Sequence, residues 1–343
     1  CGPACSSRWS RIAALSITIS AYEHGLSALR DGLRRATVRE DEIKARLETK
    51  REYLAQLLAV MSTMERSDGP LLLLHPSGPV GSARSGMVLA DVTPALQAEA
   101  DTLKVDLEEI SDLRALQENA AKMLSDGLGA VQDARAALSQ AVADRSKLPG
   151  RYLEDPTELQ KLLASADTME GFATGLAMID SDIGAASDNF ADSKGEMHLP
   201  VMASVLRRAG EADAAGIRRP GVILAAAPAA LVTAPWPATI RYRGPLLDYG
   251  NVMIPEPEAG YLLVLAGLGT VYGETGDVVA KGDPVGLMGG VEATAEEFGA
   301  GFVAAAKEGG SAGRSETLYL ELRLGGKPVD PGPWFIETKD NQG

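Results

Sequence analysis

The sequence predicts an α+β protein with three parts: a long antiparallel α-helical coiled-coil hairpin, a helical arm and a small all-β domain. Apolar residues repeat at seven-residue spacing along two segments of the first half, and a Leu/Met-rich helical segment follows them. From about residue 199, short Val/Ile/Leu/Tyr runs alternate with Gly/Pro turns. The predicted boundaries are 1–149 for the hairpin, with its tip near 67–92, then 150–195 for the arm and 196–343 for the β-domain.

The first long helix is predicted over residues 20–66. Within it, two sets of apolar residues each repeat every seven positions. One set is interrupted at Glu40 and the other at Lys50. Two apolar phases three and four residues apart form the seam of a coiled coil. The members of the two phases are Leu26, Leu33, Leu47, Leu54 and Met61, and Leu29, Ala36, Ile43, Leu57 and Met64.

The second long helix is predicted to begin near Thr93, which suits a helix cap, with Pro94 in the first turn. Its apolar phase is interrupted at Gln117 and comprises Leu96, Leu103, Ile110, Leu124, Val131 and Leu138. Two such helices joined by a Gly/Pro-rich loop fold back on each other, and each would extend roughly 65 Å. The "PLLLL" run in the loop indicates either a local cluster at the tip or a docking surface.

The arm carries a helix-start signature at Asp155-Pro156-Thr157-Glu158. Apolar residues at helical spacing follow up to Ile183, and Gly171 and Gly175 interrupt them. The glycines predict a kink or a pair of short helices. Because one face is strongly apolar, the arm is expected to pack on the hairpin, on the β-domain or on a partner.

Composition restricts the possible partners and the compartment. The formal net charge of −14 argues against nucleic acid, which would be repelled. No apolar run reaches the roughly 20 residues that span a bilayer. Cys1 and Cys5 are the two cysteines. They suit a terminal remnant or a local pair, and the alternative is an acylated Cys1 of an exported lipoprotein.

The β-domain resembles the LytM-type domain of bacterial cell-wall endopeptidases, on four segments in the family's order. "RRPGVILAA" matches the segment that normally reads His-x-Gly-x-Asp, and "ALVTAPWPATIRYRGPLLDYGNVMI" matches a strand pair with a Tyr-Gly-Asn-x-Val turn. "GYLLVLAGLGTVYGETGDVVAKGDPVGLMG" matches the region that carries Tyr-Ala-His, and "TLYLELRLGGKPVDPGPW" matches the closing His-x-His hairpin. The resemblance implies a small β-domain whose relatives bind zinc.

The resemblance also implies that the zinc ligands are missing. A catalytic zinc needs two imidazoles, a carboxylate and an open position for water. The first histidine falls on Arg219, the aspartate on Ile223 and the final metal-binding histidine on Tyr319. The catalytic histidine falls on Gly267. The chain's histidines, His24, His75 and His198, lie outside these motifs. We therefore expect a degenerate domain that is no enzyme and holds no metal or cofactor.

A degenerate LytM domain behind a coiled-coil hairpin resembles the EnvC-like murein hydrolase activators. This resemblance implies a periplasmic protein of cell division whose vacant groove binds the regulatory helix of an N-acetylmuramoyl-L-alanine amidase. It also implies that the coiled coil docks on the periplasmic domain of FtsX in FtsEX, and that a helix over 156–183 occupies the groove until that complex moves it.

The groove residues expected from this resemblance have an apolar and aromatic character, with Arg219 and Arg323 at the rim, where they would pair with carboxylates of the incoming helix. They are Arg219, Ile223, Tyr249, Val252, Tyr319 and Arg323. The self-inhibitory residues expected in the arm are Leu159, Leu162, Leu163, Met169, Phe172, Leu176 and Ile179.

Two other classes of protein share parts of this pattern. Adaptors of efflux pumps also join a helical hairpin to a β-domain, but their hairpin is inserted within that domain, and nothing β-like precedes residue 20 here. A peptidoglycan-binding scaffold without amidase activation remains the alternative.

Overall fold

A computed structural model describes residues 3–65, 78–143, 156–178, 190–213, 216–290 and 316–336. The predicted leucine cluster of the loop, His75 and Ile179 lie outside these residues. Within the described part of the chain, no helix combines the length and apolarity needed to cross a membrane. The described residues divide into two compact units, one of residues 28–124 and one of all the others. The predicted three-part boundaries stay a prediction.

Two long helices make up the first half of the chain. Helix α1 runs over Pro3–Glu65 and α2 over Gly78–Ala143. The predicted start of the second helix near Thr93 is wrong, because Pro94 lies inside α2. An internal proline removes one backbone hydrogen bond and strains one turn. A helix of 66 residues retains enough other bonds to continue through it.

Charged pairs join α1 and α2 within the unit of residues 28–124. Arg39 lies 2.7 Å from Glu109, Arg46 lies 2.8 Å from Asp106, and Lys50 lies 2.8 Å from Glu99. From Arg39 to Lys50 along α1, the partners on α2 follow in reverse order, from Glu109 to Glu99. The two helices therefore run in opposite directions over this stretch.

Two of the polar residues that interrupt the apolar phases, Glu40 of α1 and Gln117 of α2, meet in one layer. The Gln117 amide donates to Glu40 Oε2 at 3.1 Å, and Arg114 Nε donates to Glu40 Oε1 at 3.0 Å. Lys44 Nζ lies 2.7 Å from the same carboxylate. Ile43 and Ile110 are buried nearby in the same unit. A single polar layer in an apolar seam favours one register over shifted ones.

In the described residues, the β-domain is one ten-stranded antiparallel sheet in the order β1-β2-β9-β6-β5-β4-β7. Strand β10 lies beside β9, and β8 bridges β3 and β6. The strands are β1 Ala203–Arg207, β2 Val222–Ala226, β3 Leu231–Thr233, β4 Ala238–Pro245, β5 Asn251–Glu256, β6 Tyr261–Val271, β7 Val278–Val279, β8 Pro284–Met288, β9 Glu316–Leu324 and β10 Lys327–Val329.

The central strands are buried on both faces. On β9, Leu318, Leu320 and Leu322 enter the main core, where the Phe190 ring stacks on Trp334 with a centroid separation of 4.6 Å. The alternating residues of β5, β6 and β9 point to the opposite face, as the two-residue period of a strand requires. That second face, rather than the main core, holds the predicted groove residues Val252 and Tyr319.

The arm forms two short helices, α3 over Pro156–Ser165 and α4 over Met169–Met178, so of the two predicted alternatives, a kink or a pair of short helices, the structure has the pair. The break precedes the glycines. Thr168 Oγ1 accepts the Gly171 N–H at 3.0 Å and so caps α4. Gly175 lies inside α4, where a side chain would collide with Leu162 of α3. The glycine therefore permits close packing of the two helices.

The ends of α1 and α2 contact the β-domain within one compact unit. Glu23 Oε1 accepts hydrogen bonds from Arg135 Nη2 at 2.7 Å and from the Leu231 N–H at 3.0 Å. Ser139 Oγ lies 2.9 Å from the Tyr272 hydroxyl. An apolar cluster surrounds these contacts and comprises Ile12, Ile19, Leu138, Leu231 and Tyr272. The long helices are thus attached to β3 and its neighbourhood.

A candidate binding groove covered by the arm

A row of paired residues crosses four strands of the second sheet face. Ile223 of β2 is opposite Tyr319 of β9, which is opposite Ala266 of β6, which is opposite Val252 of β5. Directly paired residues project to the same face. The register therefore brings together two positions that the resemblance assigns to metal ligands, Ile223 and Tyr319, and places Val252 in the same row.

Tyr319 is held in place by hydrogen bonds. Its hydroxyl donates to Glu321 Oε2 at 2.6 Å and accepts the Gly221 N–H at 3.1 Å. Burial, and next the negative charge of Glu321, raise the pKa of Tyr319. The phenol therefore stays protonated at neutral pH. A side chain at residue 221 would collide with the Tyr319 ring, so the close approach requires glycine.

Gly267, which the resemblance aligns with the catalytic histidine, has φ +99°. A Cβ there would collide with the carbonyl oxygen of Thr317 on β9. Positive φ already disfavours residues other than glycine. The local backbone thus has no room for a catalytic side chain at this position.

The donor set at the ligand positions does not fit zinc. Ile223 offers a hydrocarbon, Arg219 a cation and Tyr319 a protonated phenol, whereas zinc sites use imidazole, thiolate or carboxylate. Among the described residues, no group of three or more His, Cys, Asp or Glu side chains is arranged to hold a metal ion.

Two arginine–glutamate pairs lie on the same sheet face. Arg323 Nη1 is 2.6 Å from Glu321 Oε1, and Arg241 Nη1 is 2.5 Å from Glu256 Oε2. The Arg323 and Glu321 side chains are 1% and 5% exposed, and those of Arg241 and Glu256 are 2% and 11% exposed. Arg323 also donates from Nη2 to the carbonyl of Gly326 at 2.7 Å. Charges this deeply buried are stable only with such partners.

Helices α3 and α4 cover this face. The Phe172 ring meets Tyr242 edge-on, with centroids 4.8 Å apart. Arg323 Nη2 donates to Thr174 Oγ1 at 3.1 Å, and Arg241 Nη2 donates to the Leu176 carbonyl at 3.4 Å. Six of the predicted arm residues pack on the face, with Met169, Phe172 and Leu176 buried and Leu159, Leu162 and Leu163 half-buried.

The structure corrects two of the predicted groove residues. Arg323 does not lie at an exposed rim, because the β9–β10 turn at Gly326 and helix α4 enclose its guanidinium. Val252 is fully buried, since α4 packs over β5. Neither side chain is accessible while the arm lies in place.

The other predicted groove residues are partly exposed. Tyr249 is 38% exposed, and its ring centroid lies 6.4 Å from that of Tyr319. Ile223 is half-buried next to Tyr319. Arg219 is also half-buried, and its guanidinium lies 4.0 Å from Asp213. Tyr249 and Ile223 are thus neighbours of Tyr319, and the place of Arg219 in the groove stays a prediction.

Arg241, Glu256 and Glu321 were not predicted as groove residues. The signal for them was present, because Arg241 in "ATIRYRG" and Glu321 in "LYLELRL" interrupt apolar strand sequences. Arg and Glu are almost never fully buried unless they are paired. A charge of each sign within buried strands therefore indicates an ion pair, although the partners cannot be assigned without the sheet register.

Comparison with known proteins matches the β-domain. Residues 218–331 match the model of Peptidase family M23. The uncharacterized protein NMB1333 of Neisseria meningitidis serogroup B is 27% identical over 153 residues, which cover 45% of this chain and 22% of that protein.

Two solved structures show the extent of the structural similarity. The catalytic domain of the prophage-encoded M23 protein EnpA from Enterococcus faecalis, in a mutant form, is 16% identical with a TM-score of 0.30. It matches over 41% of this chain and 96% of its own. A chain of the SpoIIQ–SpoIIIAH pore forming complex is 20% identical with a TM-score of 0.31, over 41% of this chain and 92% of its own.

Proposed function

We propose that the M23 domain at residues 218–331 acts without catalysis, as an activator of periplasmic cell-wall amidases during cell division. Its groove binds the regulatory helix of an N-acetylmuramoyl-L-alanine amidase, and α3–α4 inhibits this by lying in the same groove. The hairpin of α1 and α2, as a coiled coil, receives the signal from the periplasmic domain of FtsX in the FtsEX complex.

The observation that carries the proposal is the position of α4. An amphipathic helix of the chain itself already covers the sheet face that holds Tyr319 and Val252. An apolar face that accepts one helix through side chains one turn apart is suited to accept another of the same pattern. The residues at the ligand positions, Ile223 and Tyr319, favour such a contact over metal chemistry.

Regulation follows from competition between a tethered helix and an external one. A tethered segment has a high effective concentration, so an amidase helix of similar affinity binds poorly. A force or partner that disfavours the docked state of α4 raises the fraction of open groove. The external helix then binds with no change in its intrinsic affinity.

The surface of α2 supports the proposed partner for the hairpin. Val105, Leu116 and Met123 are 60%, 53% and 62% exposed. Their spacing is close to whole numbers of helical turns, so they project from one side of α2. An exposed apolar stripe of this kind is typical of a protein-binding surface. We assign it to FtsX.

The amidase proposal is tested by adding purified cell wall and a periplasmic amidase to the full chain and to a variant lacking residues 156–183. We expect lysis only when the amidase is present, and more of it with the deletion. Phe172→Ala should act in the same direction, because the Phe172 side chain of α4 is fully buried against the sheet face. Met178→Ala is the matched control on the same helix, since Met178 is 79% exposed.

Each other outcome excludes the proposal. Equal activation by the full chain and the deletion variant would refute self-inhibition. Lysis by the protein alone, or stoichiometric zinc in elemental analysis, would restore an enzyme. Co-sedimentation with cell wall without any effect on the amidase would favour the peptidoglycan-binding scaffold.

The FtsX assignment has its own test. Leu116→Glu is expected to abolish co-purification with the FtsX periplasmic domain. Leu107→Glu is the control, because Leu107 is 58% exposed but lies about half a turn away around α2. Equal binding by both variants would place the contact elsewhere.

A further inference from the structure

Two buried cations contact α4 directly. Arg323 donates from Nη2 to the Thr174 hydroxyl, and Arg241 donates from Nη2 to the Leu176 carbonyl. Thr174 Oγ1 lies a further 3.3 Å from the Gly326 carbonyl, to which it donates. Both acceptors on the helix are electrically neutral.

The charge of each guanidinium is already balanced. Glu321 lies 2.6 Å from Arg323, and Glu256 lies 2.5 Å from Arg241, all under the arm. A carboxylate at the place of Thr174 would bring a second anion next to Glu321 in a region with little water. Like charges at short range and low dielectric disfavour each other strongly. A neutral oxygen satisfies the arginine donors without this repulsion.

We propose that Arg323, with its paired Glu321, selects the chemistry of any helix that binds in the groove. Such a helix presents a hydroxyl or amide oxygen at the place of Thr174, and a helix with a carboxylate there is rejected. The acceptor at Leu176 is a backbone carbonyl, which any helix offers to Arg241. For an external helix the inference rests on the proposed function. It replaces the expectation that Arg323 attracts carboxylates of the partner.

The test compares Thr174→Asn with Thr174→Asp in the full chain. The two side chains have nearly the same shape and differ in charge. The measurement is amide hydrogen exchange in Met169–Met178, with the exchange of β9 as a check that the sheet is intact. We expect the asparagine variant to exchange within about threefold of the parent and the aspartate variant about tenfold faster or more.

A second background tests whether charge balance is the cause. Glu321→Gln removes the anion that neutralises Arg323, so Thr174→Asp should now be protected as well as Thr174→Asn, or better. Equal exchange of the two variants in the parent chain would overturn the inference. So would an aspartate defect that persists in the Glu321→Gln background while β9 stays protected.

These measurements contain no amidase, so the two proposals fail separately. If amidase activation is absent but the Asn and Asp variants differ as expected, the proposed function is wrong and the selection by charge holds for α4. If activation is intact and the two variants are equally protected, the function holds and the selection rule is wrong.

Discussion

The polar layer between α1 and α2 and the charged pairs under α4 use similar chemistry in different surroundings. Glu40 is paired with Lys44 and Arg114, whose side chains are 44% and 64% exposed. Arg323 and Glu321 are only 1% and 5% exposed. Two side-by-side helices are thin, so long cationic side chains reach water. The sheet face lies under the arm, so the side chains of Arg323 and Glu321 do not reach water.

The difference indicates how each region responds to the loss of one charge. Where the partner reaches solvent, water replaces the lost contact, and an exposed pair contributes roughly 0–1 kcal/mol. Where both members are buried, the remaining charge has no substitute partner, and the loss is about 3–5 kcal/mol. The polar layer between the helices is thus suited to setting their register. The buried pairs under α4 make its docking depend on the charge of the groups that face them.

The largest expected effect is that of Arg323→Met. It leaves Glu321 buried without its cation, and we expect the free energy of unfolding of the β-domain to fall by about 3–5 kcal/mol in urea denaturation. The double variant Arg323→Met/Glu321→Leu should recover much of this. Arg243→Met is the control, because Arg243 pairs with Glu274, which is 73% exposed. Equal losses of unfolding free energy for Arg323→Met and Arg243→Met would show that burial does not determine the cost of losing one charge.

Leu176→Ala is expected to have a smaller and more local effect. Leu176 is 1% exposed and packs on the sheet face, so its truncation should weaken docking of α4 by about 2–3 kcal/mol. Native-state hydrogen exchange should show faster exchange in α4 with β6 and β9 unchanged. An unchanged α4, or a uniform loss of protection in the sheet, would contradict the view of the arm as a separable cover.

The smallest effect concerns Glu40 and pH. Hydrogen bonding to Lys44, and further bonds to Arg114 and Gln117, lower the pKa of Glu40 from 4.5 to about 2. A lowered folded-state pKa means that the stabilisation is complete above pH 4.5 and is lost as the pH falls toward 2.

Helix unfolding followed by circular dichroism should therefore show a loss of about 1 kcal/mol between pH 7 and pH 3 that Glu40→Gln abolishes. Glu48→Gln is the control on α1, because the Glu48 side chain is 78% exposed and its partner is Arg51 rather than Lys44. A pH dependence that survives in the Glu40 variant would assign it to other carboxylates.

Much of this architecture was predictable because its signals are local. Heptad spacing identified the two long helices, although the helix continues through Pro94, which local rules place at its start. The acidic cap and Pro156 located the arm, and the resemblance located Ile223 and Tyr319 in strands. Their pairing across β2 and β9 required the register.

Residues close together in the chain are enough to indicate the order of the parts, the lack of zinc-type donors at the positions aligned with the metal site, and the apolar face of the arm. The burial of Arg323 and Val252 and the contact between Glu40 and Gln117 follow instead from the three-dimensional packing. Burial depends on what covers a face, and the residues that cover it lie far away in sequence, so no local pattern records it.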